Sequence, residues 1–280
     1  MSRGVFVGVL ALSGFAACAP PRLAQHATRA RSDLGEGARI AVIEPAFVLA
    51  APSNVTEKVF VDTEAQLRRL YAGLVGAGLD PPPSGAATAL YLLPGAGSYQ
   101  TFCFTKWDKP CLSDRGFFVA ADRLAVVDLA NGGTLTVLHE AVHPLVLAHF
   151  PGIPAWFYEG LSALFEVPRY DEGVLHGDRK ARAGYLPHEQ KKLAPHVRLD
   201  KLFAMDELAF RRDASESYAI ARFVCLWLDE KGYLWPFFHR FREIAWRDSG
   251  AQAFRDVVGL TLAEAQPVWE SWVIARIYEN

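Results

Sequence analysis

This sequence of 280 residues has little net charge, no internal repeat and no paired zinc-site cysteines, and each of these features argues against one class of protein. The formal net charge is only −2, so the composition gives no electrostatic basis for binding nucleic acid. The chain has no internal repeat of the kind that builds solenoids or propellers. Cys103 and Cys111 have no second Cys or His pair of zinc-site spacing beside them, which argues against a cysteine-based zinc centre.

The abundant residue types are typical of a folded protein. Hydrophobic residues make up 51% of the chain, with seven Trp and eighteen Phe, so the composition is that of a globular protein and not of a disordered one. The length allows one or two ordinary domains with a sizeable core.

The segment Thr134–His149 carries the most informative motif of the chain. Its apolar residues recur at helical spacing and predict a half-buried helix: Leu135, Leu138, Val142, Leu145 and Val146. Because positions i and i+4 lie one above the other on a helix, His139 and His143 of its H-E-x-x-H motif can present two imidazoles to one metal ion. Glu140 is close enough to exchange a proton with water there. The alternative is a buried helix whose two histidines only make hydrogen bonds within the fold and bind no metal.

A second helix is predicted at Pro154–Glu166. Proline suits the first turn, and an apolar stripe follows: Phe157, Leu161, Leu164 and Phe165. Glu159 lies opposite this stripe on the helical wheel. Two interpretations stay open: a charged outer face, or a face turned toward the first helix so that Glu159 completes a His-His-Glu site. Such a site leaves a fourth position for water, as catalytic zinc centres do.

Together these two segments resemble a known family. H-E-x-x-H followed by a W-x-x-E-G-L-[AS] helix is similar to the gluzincin metallopeptidases, and specifically to the bacterial peptidase-MA-like families. Fifteen residues separate His143 from Glu159, slightly fewer than in the thermolysin and aminopeptidase branches. The similarity continues in Ser217–Ala221 and in Gly259–Val273, so it covers over half of the chain.

The resemblance implies a fold, a cofactor and a reaction. The expected fold is a zincin-like α+β domain: a small N-terminal mixed β-sheet with helices, the H-E-x-x-H helix packed on it, and a largely helical C-terminal half. The expected ligands of one zinc ion are His139, His143 and Glu159. The expected reaction is hydrolysis of a peptide bond in a peptide or protein substrate, with Glu140 transferring the proton.

The resemblance also implies a donor for the oxyanion. The family places a Tyr or His downstream of the metal ligands, and Tyr218 is the best match in this chain. We predict that the Tyr218 hydroxyl points into the metal site and stabilises the oxyanion. A core aromatic whose hydroxyl binds backbone is the alternative, and His176 and His188 are the other candidate donors.

Two positions depart from the family pattern. Pro144 directly follows the second histidine, where it removes a helical hydrogen bond and disfavours helical geometry at His143, so we expect a kink or an altered ligand geometry. Ala163 stands where thermolysin-like enzymes carry an acidic residue behind the first histidine. Glu166 or another segment is then needed to support that histidine.

The first residues predict export. Residues 1–18 combine a positive charge, an apolar run and small residues before Cys18, which is typical of a bacterial signal peptide of the lipoprotein type. The apolar run, Gly4–Phe15, is too short to span a membrane comfortably. We therefore expect an exported protein of the bacterial cell envelope or periplasm, associated with the membrane only through a lipid on Cys18. Ordinary signal cleavage near Ala19 is the alternative, and residues 19–37 are expected to be a flexible tether.

Residues 38–132 are predicted to be the N-terminal α/β part of the catalytic unit, and residues 133–280 the metal-site helices and the helical remainder. The predicted elements of the first part are strands at Arg39–Leu49, Val59–Val61 and Ala89–Leu93, a helix at Thr63–Val75 capped by Thr63, and a hairpin of Phe117–Ala120 with Leu124–Leu129. In this fold class the last strand before the H-E-x-x-H helix borders the active cleft, where an extended peptide can pair with it. An ordinary edge strand is the alternative.

The sequence predicts different states for the cysteines that follow Cys18. Cys103 and Cys111 flank a short loop, and two nearby cysteines in an exported protein predict a disulfide. Cys225 lies in an apolar run and is predicted to be a buried, inert thiol.

Two other functions stay open on sequence grounds. One is a catalytically inactive zincin-like envelope lipoprotein that binds a partner or acts as a scaffold. The presence of Glu140 argues against it, because a structural metal site has no need of a carboxylate at that position. The other is a zinc hydrolase that acts on something other than a peptide.

Overall fold

The computed structural model describes residues 22–83, 85–245 and 249–279. The predicted signal peptide and the predicted lipidation site Cys18 lie outside these residues. Within the described part of the chain, no helix combines the length and the apolar character needed to cross a membrane.

A five-stranded mixed sheet forms the N-terminal part of the fold. Its strands are β1 (Arg39–Ile43), β2 (Phe47–Ala51), β3 (Thr88–Leu93), β4 (Gly116–Val119) and β5 (Leu124–Asp128). They are arranged in the order β1-β2-β3-β5-β4. The three central strands are parallel, with Leu49 opposite Leu90 and Tyr91 opposite Val126, while β1 and β4 are antiparallel to their neighbours. The central strands are buried along their whole length, as parallel strands covered on both faces are.

Helices cover both faces of this sheet. They are α1 (Arg22–Leu34), α2 (Glu57–Ala77), α3 (Ala96–Trp107) and α4 (Gly133–His149). α1 and α3 pack on one face, in a core that includes Tyr91 and Tyr99. α2 and α4 pack on the other face, in the main core of the molecule. The sheet therefore fixes the position of α4, which carries the H-E-x-x-H motif.

Helices dominate the rest of the chain, with two short hairpins between them. The helices are α5 (Ala155–Phe165), α6 (Leu199–Phe203), α7 (Glu207–Arg212), α8 (Ala214–Glu230), α9 (Leu234–Ile244), α10 (Ala251–Val258) and α11 (Leu262–Tyr278). The hairpins pair β6 (Pro168–Asp171) with β7 (Val174–Gly177), and β8 (His188–Glu189) with β9 (Lys192–Leu193). The predicted α+β fold, with a small N-terminal mixed sheet and a largely helical C-terminal half, is confirmed.

The segment 19–37, expected to be a flexible tether, is instead helical through Arg22–Leu34. His26 and Ala30 are buried against the sheet, and His26 Nε2 lies 3.0 Å from the carbonyl oxygen of Ala87. The prediction was wrong because scattered tertiary contacts hold this helix: besides the two buried residues, Asp33 pairs with Lys106 at 2.8 Å and accepts from Tyr91 at 3.1 Å. Such contacts leave no clear apolar periodicity in the sequence.

Two further element predictions are corrected. Val59–Val61, predicted as a strand, belongs to α2. The helix begins earlier than predicted because Thr56, and not Thr63, is its N-cap. The Thr56 hydroxyl accepts a hydrogen bond from the backbone N–H of Val59 at 3.4 Å. The two valines lie on the exposed side of α2, where β-branched residues imitate the signal of a strand. Arg39–Leu49 forms parts of two strands, with Pro45 in the turn between them.

α5 is held in place by aromatic packing and by one glycine. Trp156 and Phe157 are fully buried, in an aromatic cluster with residues of α6 and α9. A Cβ atom at Gly160 would lie 2.9 Å from the Sγ of Cys225 and 3.0 Å from the carbonyl oxygen of Ala221, so only glycine allows α5 to approach α8 this closely. The Glu-Gly pair of the motif thus combines a site residue with a packing residue.

Candidate metal centre

α4 and α5 bring the three predicted ligands together in a buried cluster. The Nε2 atom of His139 lies 3.2 Å from Oε2 of Glu159, and the Nε2 atom of His143 lies 3.6 Å from the same oxygen. One ligand atom from each of the three residues lies within 4.8 Å of the others. All three side chains are buried.

Two ligand-atom separations in this cluster match those of a tetrahedral metal site. Zinc binds histidine nitrogen and carboxylate oxygen at about 2.0–2.2 Å, so neighbouring ligand atoms around it lie roughly 3.3–3.5 Å apart. The two separations from Glu159 Oε2, 3.2 and 3.6 Å, bracket that value. The His-His-Glu group therefore fits one metal ion.

Hydrogen bonds behind the two histidines direct both Nε2 atoms toward the shared position. His139 Nδ1 lies 3.0 Å from Glu166 Oε2, and an ionised carboxylate only accepts, so this Nδ1 carries a proton. Ser162 Oγ donates to the carbonyl oxygen of Tyr158 at 3.1 Å and accepts from His143 Nδ1 at 3.0 Å. In both histidines the lone pair of Nε2 can then serve a metal.

Arg182 fixes the carboxylate behind His139. Its Nε and Nη2 atoms donate to the two oxygens of Glu166 at 2.6 and 2.7 Å, which is a bidentate pair. Burial alone would raise the pKa of Glu166, but the hydrogen bonds from His139 and Arg182 outweigh it and lower the pKa to about 2. Glu166 thus supports the first histidine, for which Ala163 provides no carboxylate.

Glu140 lies beside the cluster without being one of its three members. Its Oε2 atom is 3.8 Å from His143 Nε2, and its side chain lines the same cavity. Burial raises the pKa of Glu140 to about 7, against the opposing effect of His139. A carboxyl group with a pKa near neutrality can both accept and return a proton, as a general base must.

The pKa values of the two ligand histidines are shifted in opposite directions. Burial lowers the pKa of His143 to about 3, so this ring is neutral at ordinary pH. Burial also opposes protonation of His139, but its hydrogen bonds to Glu159 and Glu166 outweigh that effect and raise its pKa to about 10. A metal ion must therefore displace a proton from His139, and metal affinity falls as the pH falls.

A cavity of about 640 Å³ opens onto the cluster. Gly116, Phe117 and Phe118 of β4 line it, and β4 is an edge strand of the sheet. The expectation that the last strand before α4 borders the cleft is wrong. That strand is β5, which is paired on both sides because it lies between β3 and β4.

Two tyrosines lie at the cluster. The ring of Tyr218, at the start of α8, stacks on His139 with centroids 6.2 Å apart, and the ring of Tyr158 stacks on His143 at 4.1 Å. Both tyrosines line the cavity. Burial, and then the nearby carboxylate of Glu159, raises the pKa of Tyr218, so its hydroxyl keeps its proton and can donate it in a hydrogen bond.

The other two candidate oxyanion donors, His176 and His188, form hydrogen bonds with residues outside the cluster. His176 Nδ1 lies 3.2 Å from Oδ2 of Asp229, and His188 Nδ1 donates to the carbonyl oxygen of Leu186 at 2.7 Å. Neither histidine is among the described residues that line the cavity. Of the donors suggested by the sequence, Tyr218 is the one that lies at the cluster.

Pro144 is accommodated inside α4, which is helical from Gly133 to His149. With Pro144 in the helix, the rings of His139 and His143 lie 4.9 Å apart, and both Nε2 atoms approach the same oxygen of Glu159. Because proline has no N–H, the carbonyl group of Glu140 lacks its usual partner within the helix.

Two of the described cysteines form a disulfide, and a third lies in the core. Cys103 and Cys111 form a disulfide, which joins α3 to the loop that leads to β4. Cys225 is a buried free thiol. Burial raises its pKa, which makes it inert as a nucleophile.

No protein-family model and no curated protein matches this chain. The support for the site is its own geometry, a buried His-His-Glu triad on α4 and α5 with the sequence spacing of H-E-x-x-H…E. That geometry is consistent with a zincin-like site.

Sequence reasoning missed several residues around the ligands. Ser162 lies one helical turn after Glu159 in the [AS] position of the motif, so its spacing was a usable signal. Arg211 Nη2 lies 3.6 Å from Oε1 of Glu159, and Arg182 binds Glu166. Neither arginine is marked by a motif or by periodicity, so no local signal identifies them.

Replacing Ser162 by alanine is expected to lower zinc affinity by about 10–100-fold, the usual effect of losing a partner behind a ligating histidine. The measurement is a chelator competition at neutral pH. Ser271→Ala is the matched control, because Ser271 also donates to the carbonyl oxygen four residues earlier, at 2.9 Å, but on α11. Equal affinity in the two variants would show that Ser162 does not orient His143.

Proposed function

We propose that this protein is a zinc-dependent metallopeptidase. The observation that carries the proposal is the placement of the buried Glu140 carboxyl beside the His139/His143/Glu159 triad, in the same cavity. A triad alone would suit any metal site. A protonatable carboxylate next to it is what hydrolysis by an activated water requires.

In this proposal each residue of the site has one role. Zinc held by the triad would polarise the scissile carbonyl and make a water molecule more acidic. Glu140 takes the proton of the attacking water and returns it to the leaving amine. Tyr218 donates to the oxyanion that forms at the carbonyl. Glu166 and Ser162 hold the ligand histidines in the required tautomer.

A polypeptide suits the cavity better than a compact small molecule. The edge strand β4 lines the cavity and pairs only with β5 in the described sheet, so its outer backbone groups are available to an extended chain. Strand addition of this kind gives main-chain hydrogen bonds to a peptide of any sequence. A zinc hydrolase acting on a non-peptide substrate remains the competing enzyme function.

An inactive binding or scaffold protein is the alternative from another class. In that case Glu140 would have no chemical role, and its burial would only oppose folding. The presence of a buried carboxyl group that does not belong to the triad therefore favours the enzyme.

We also propose that the protein is exported to the bacterial cell envelope and anchored by a lipid on Cys18. The Cys103–Cys111 disulfide supports an oxidising compartment, since such bonds persist there and are rare in the cytosol. Mass spectrometry of the natively exported protein tests the lipid. A mature N-terminus without diacylglycerol on Cys18 would contradict it.

Incubation of the zinc-loaded protein with an unbiased mixture of peptides tests the activity. Mass spectrometry is expected to find cleaved products that are absent after chelation of the metal and return when zinc is restored. Stoichiometric zinc without cleavage of any peptide would favour the inactive protein or a hydrolase of another substrate class.

Replacing Tyr218 by phenylalanine is expected to lower kcat by about 10²–10³-fold, the usual effect of losing one oxyanion donor. Zinc content should stay unchanged, because Tyr218 is not one of the ligands. Tyr158→Phe is the comparison in the same cavity, since Tyr158 stacks on the other histidine. A large loss in Tyr158→Phe with none in Tyr218→Phe would assign the donor to Tyr158.

A further inference from the structure

Arg222 of α8 is a cation in the core of the fold. Its side chain is fully buried, and burial lowers its pKa to about 10, so it stays charged at neutral pH. Its hydrogen bonds within the described part of the chain go to two backbone carbonyl oxygens and to no carboxylate. Burying a charge without a paired carboxylate is costly, and apolar side chains of similar size often give an equally stable core. Stability alone therefore does not account for an arginine at this position.

One of these hydrogen bonds fixes the end of α5. Nε of Arg222 donates to the carbonyl oxygen of Ala163 at 3.0 Å. Ala163 lies in the last turn of α5, where carbonyl groups lack N–H partners within the helix. Glu166, which accepts from His139, is the first residue after this helix. Arg222 thus holds the helix end that carries Glu166.

The other hydrogen bond fixes the turn that leads to Arg182. Nη2 of Arg222 donates to the carbonyl oxygen of Asp178. The carboxylate of Asp178 accepts from the backbone N–H groups of Lys180 and Ala181 at 2.8 and 2.7 Å. Arg182 follows directly with a φ of 62°, a left-handed conformation that residues other than glycine rarely adopt. Such a conformation persists only where the surrounding structure holds it, and Arg222 provides one of the contacts that do so.

Arg222 therefore binds both segments that supply the support of the first histidine. In the bidentate pair of Arg182 with Glu166, one partner follows the end of α5 and the other follows the Asp178 turn. The two nitrogen atoms of Arg222 that bind these segments belong to one planar guanidinium group, so the distance between them is fixed. The two segments are thereby held together, and the Glu166 carboxylate keeps its place behind His139.

We propose that Arg222 is a positioning residue of the metal centre: by holding the end of α5 and the Asp178 turn together, it keeps the Arg182–Glu166 pair aligned with His139 and so raises metal affinity. The inference rests on the proposed function only for the metal ligands, because it makes no assumption about the substrate. Arg222 is not among the described residues that form the triad or line the cavity. Its effect on the metal must therefore pass through Arg182 and Glu166.

Replacing Arg222 by methionine removes both donors and keeps an unbranched side chain. Zinc affinity, measured by chelator competition on folded protein, is expected to fall about tenfold, the lower end of the effect of losing a partner behind a ligating histidine. Arg276→Met is the matched control. Arg276 donates to Glu230 at the end of α8 at 2.9 and 2.6 Å, and neither residue is among the described ones that line the cavity. Zinc affinity in this control should equal that of wild type.

A double-mutant cycle with Arg182→Met separates positioning from a general loss of stability. If Arg222 acts through Arg182, the variant with both substitutions should bind zinc no more weakly than Arg182→Met alone. Two losses that multiply would overturn the inference, and so would equal zinc affinity in Arg222→Met and wild type. If the methionine variant does not fold, Arg222→Lys takes its place in the cycle with the same expected results, since lysine keeps the charge but has one nitrogen in place of the fork.

Hydrogen exchange in the metal-free protein keeps this inference separate from the proposed function. The amides of Lys180 and Ala181 are expected to exchange about tenfold faster in Arg222→Met than in wild type, and at the wild-type rate in Arg276→Met. Faster exchange in a protein whose wild type binds no zinc would reject the proposed function and still support the positioning of Arg182 by Arg222. Unchanged exchange at both amides would overturn the inference, whether or not zinc binds.

Discussion

Replacing Glu140 by glutamine is expected to leave zinc at one ion per chain and to lower hydrolysis by about 10³-fold or more, within the range that proton transfer by a positioned side chain supplies. Glutamine keeps the shape of the side chain but cannot accept a proton. Glu140 lies beside the triad and is not a member of it, so the metal should stay. Metal analysis and peptide cleavage on the same preparation measure both properties.

Glu216→Gln is the control for this substitution. Glu216 is a carboxylate that pairs with His196 and is not among the described residues that line the cavity. Full activity is expected in that variant. Equal activity in Glu140→Gln and wild type, on any peptide that wild type cleaves, would refute the role assigned to Glu140.

Replacing His143 by alanine is expected to empty the metal site. Its Nε2 atom is one of three ligand atoms, and a site with two remaining ligands cannot compete with a chelator. The loss of affinity should exceed the 10–100-fold that is typical of a lost outer partner, and therefore exceed that of Ser162→Ala. Metal analysis after dialysis against a chelator provides the measurement.

His149→Ala is the control on the same helix. His149 ends α4 and does not belong to the triad, so this variant should keep one zinc per chain. If His143→Ala keeps stoichiometric zinc under conditions in which wild type keeps it, the ligand set is wrong.

Local sequence signals predicted the part of the site that depends on one helix. The pairing of His139 with His143 follows from the helical repeat alone, and the periodic apolar residues around them predicted the helix. The sequence left the role of Glu159 open, because a charged outer face and a ligand on a second helix produce the same pattern. The packing of α5 between α4 and α8 decides that question, and Gly160 contributes to it through a contact distant in sequence.

Contacts between distant segments limited the rest of the prediction. Arg182 lies 16 residues from Glu166, in a polar segment with no periodicity, so its bidentate pair is visible only after folding. The helix α1 was missed for a similar reason, because His26 and Ala30 make its buried contacts. Leu135 was predicted to be buried by its spacing, but the cavity leaves it exposed. For Arg182 and α1 the deciding contacts join segments that are distant in sequence, and for Leu135 the core contact that its spacing predicted is absent.

Anomalous diffraction at the zinc absorption edge, on crystals of the zinc-loaded protein, would show directly which residues bind the metal. We expect one strong peak at about 2.0–2.2 Å from Nε2 of His139, Nε2 of His143 and a carboxylate oxygen of Glu159, with Glu140 outside bonding distance. A zinc peak elsewhere, or no peak between these three residues in fully loaded protein, would contradict it.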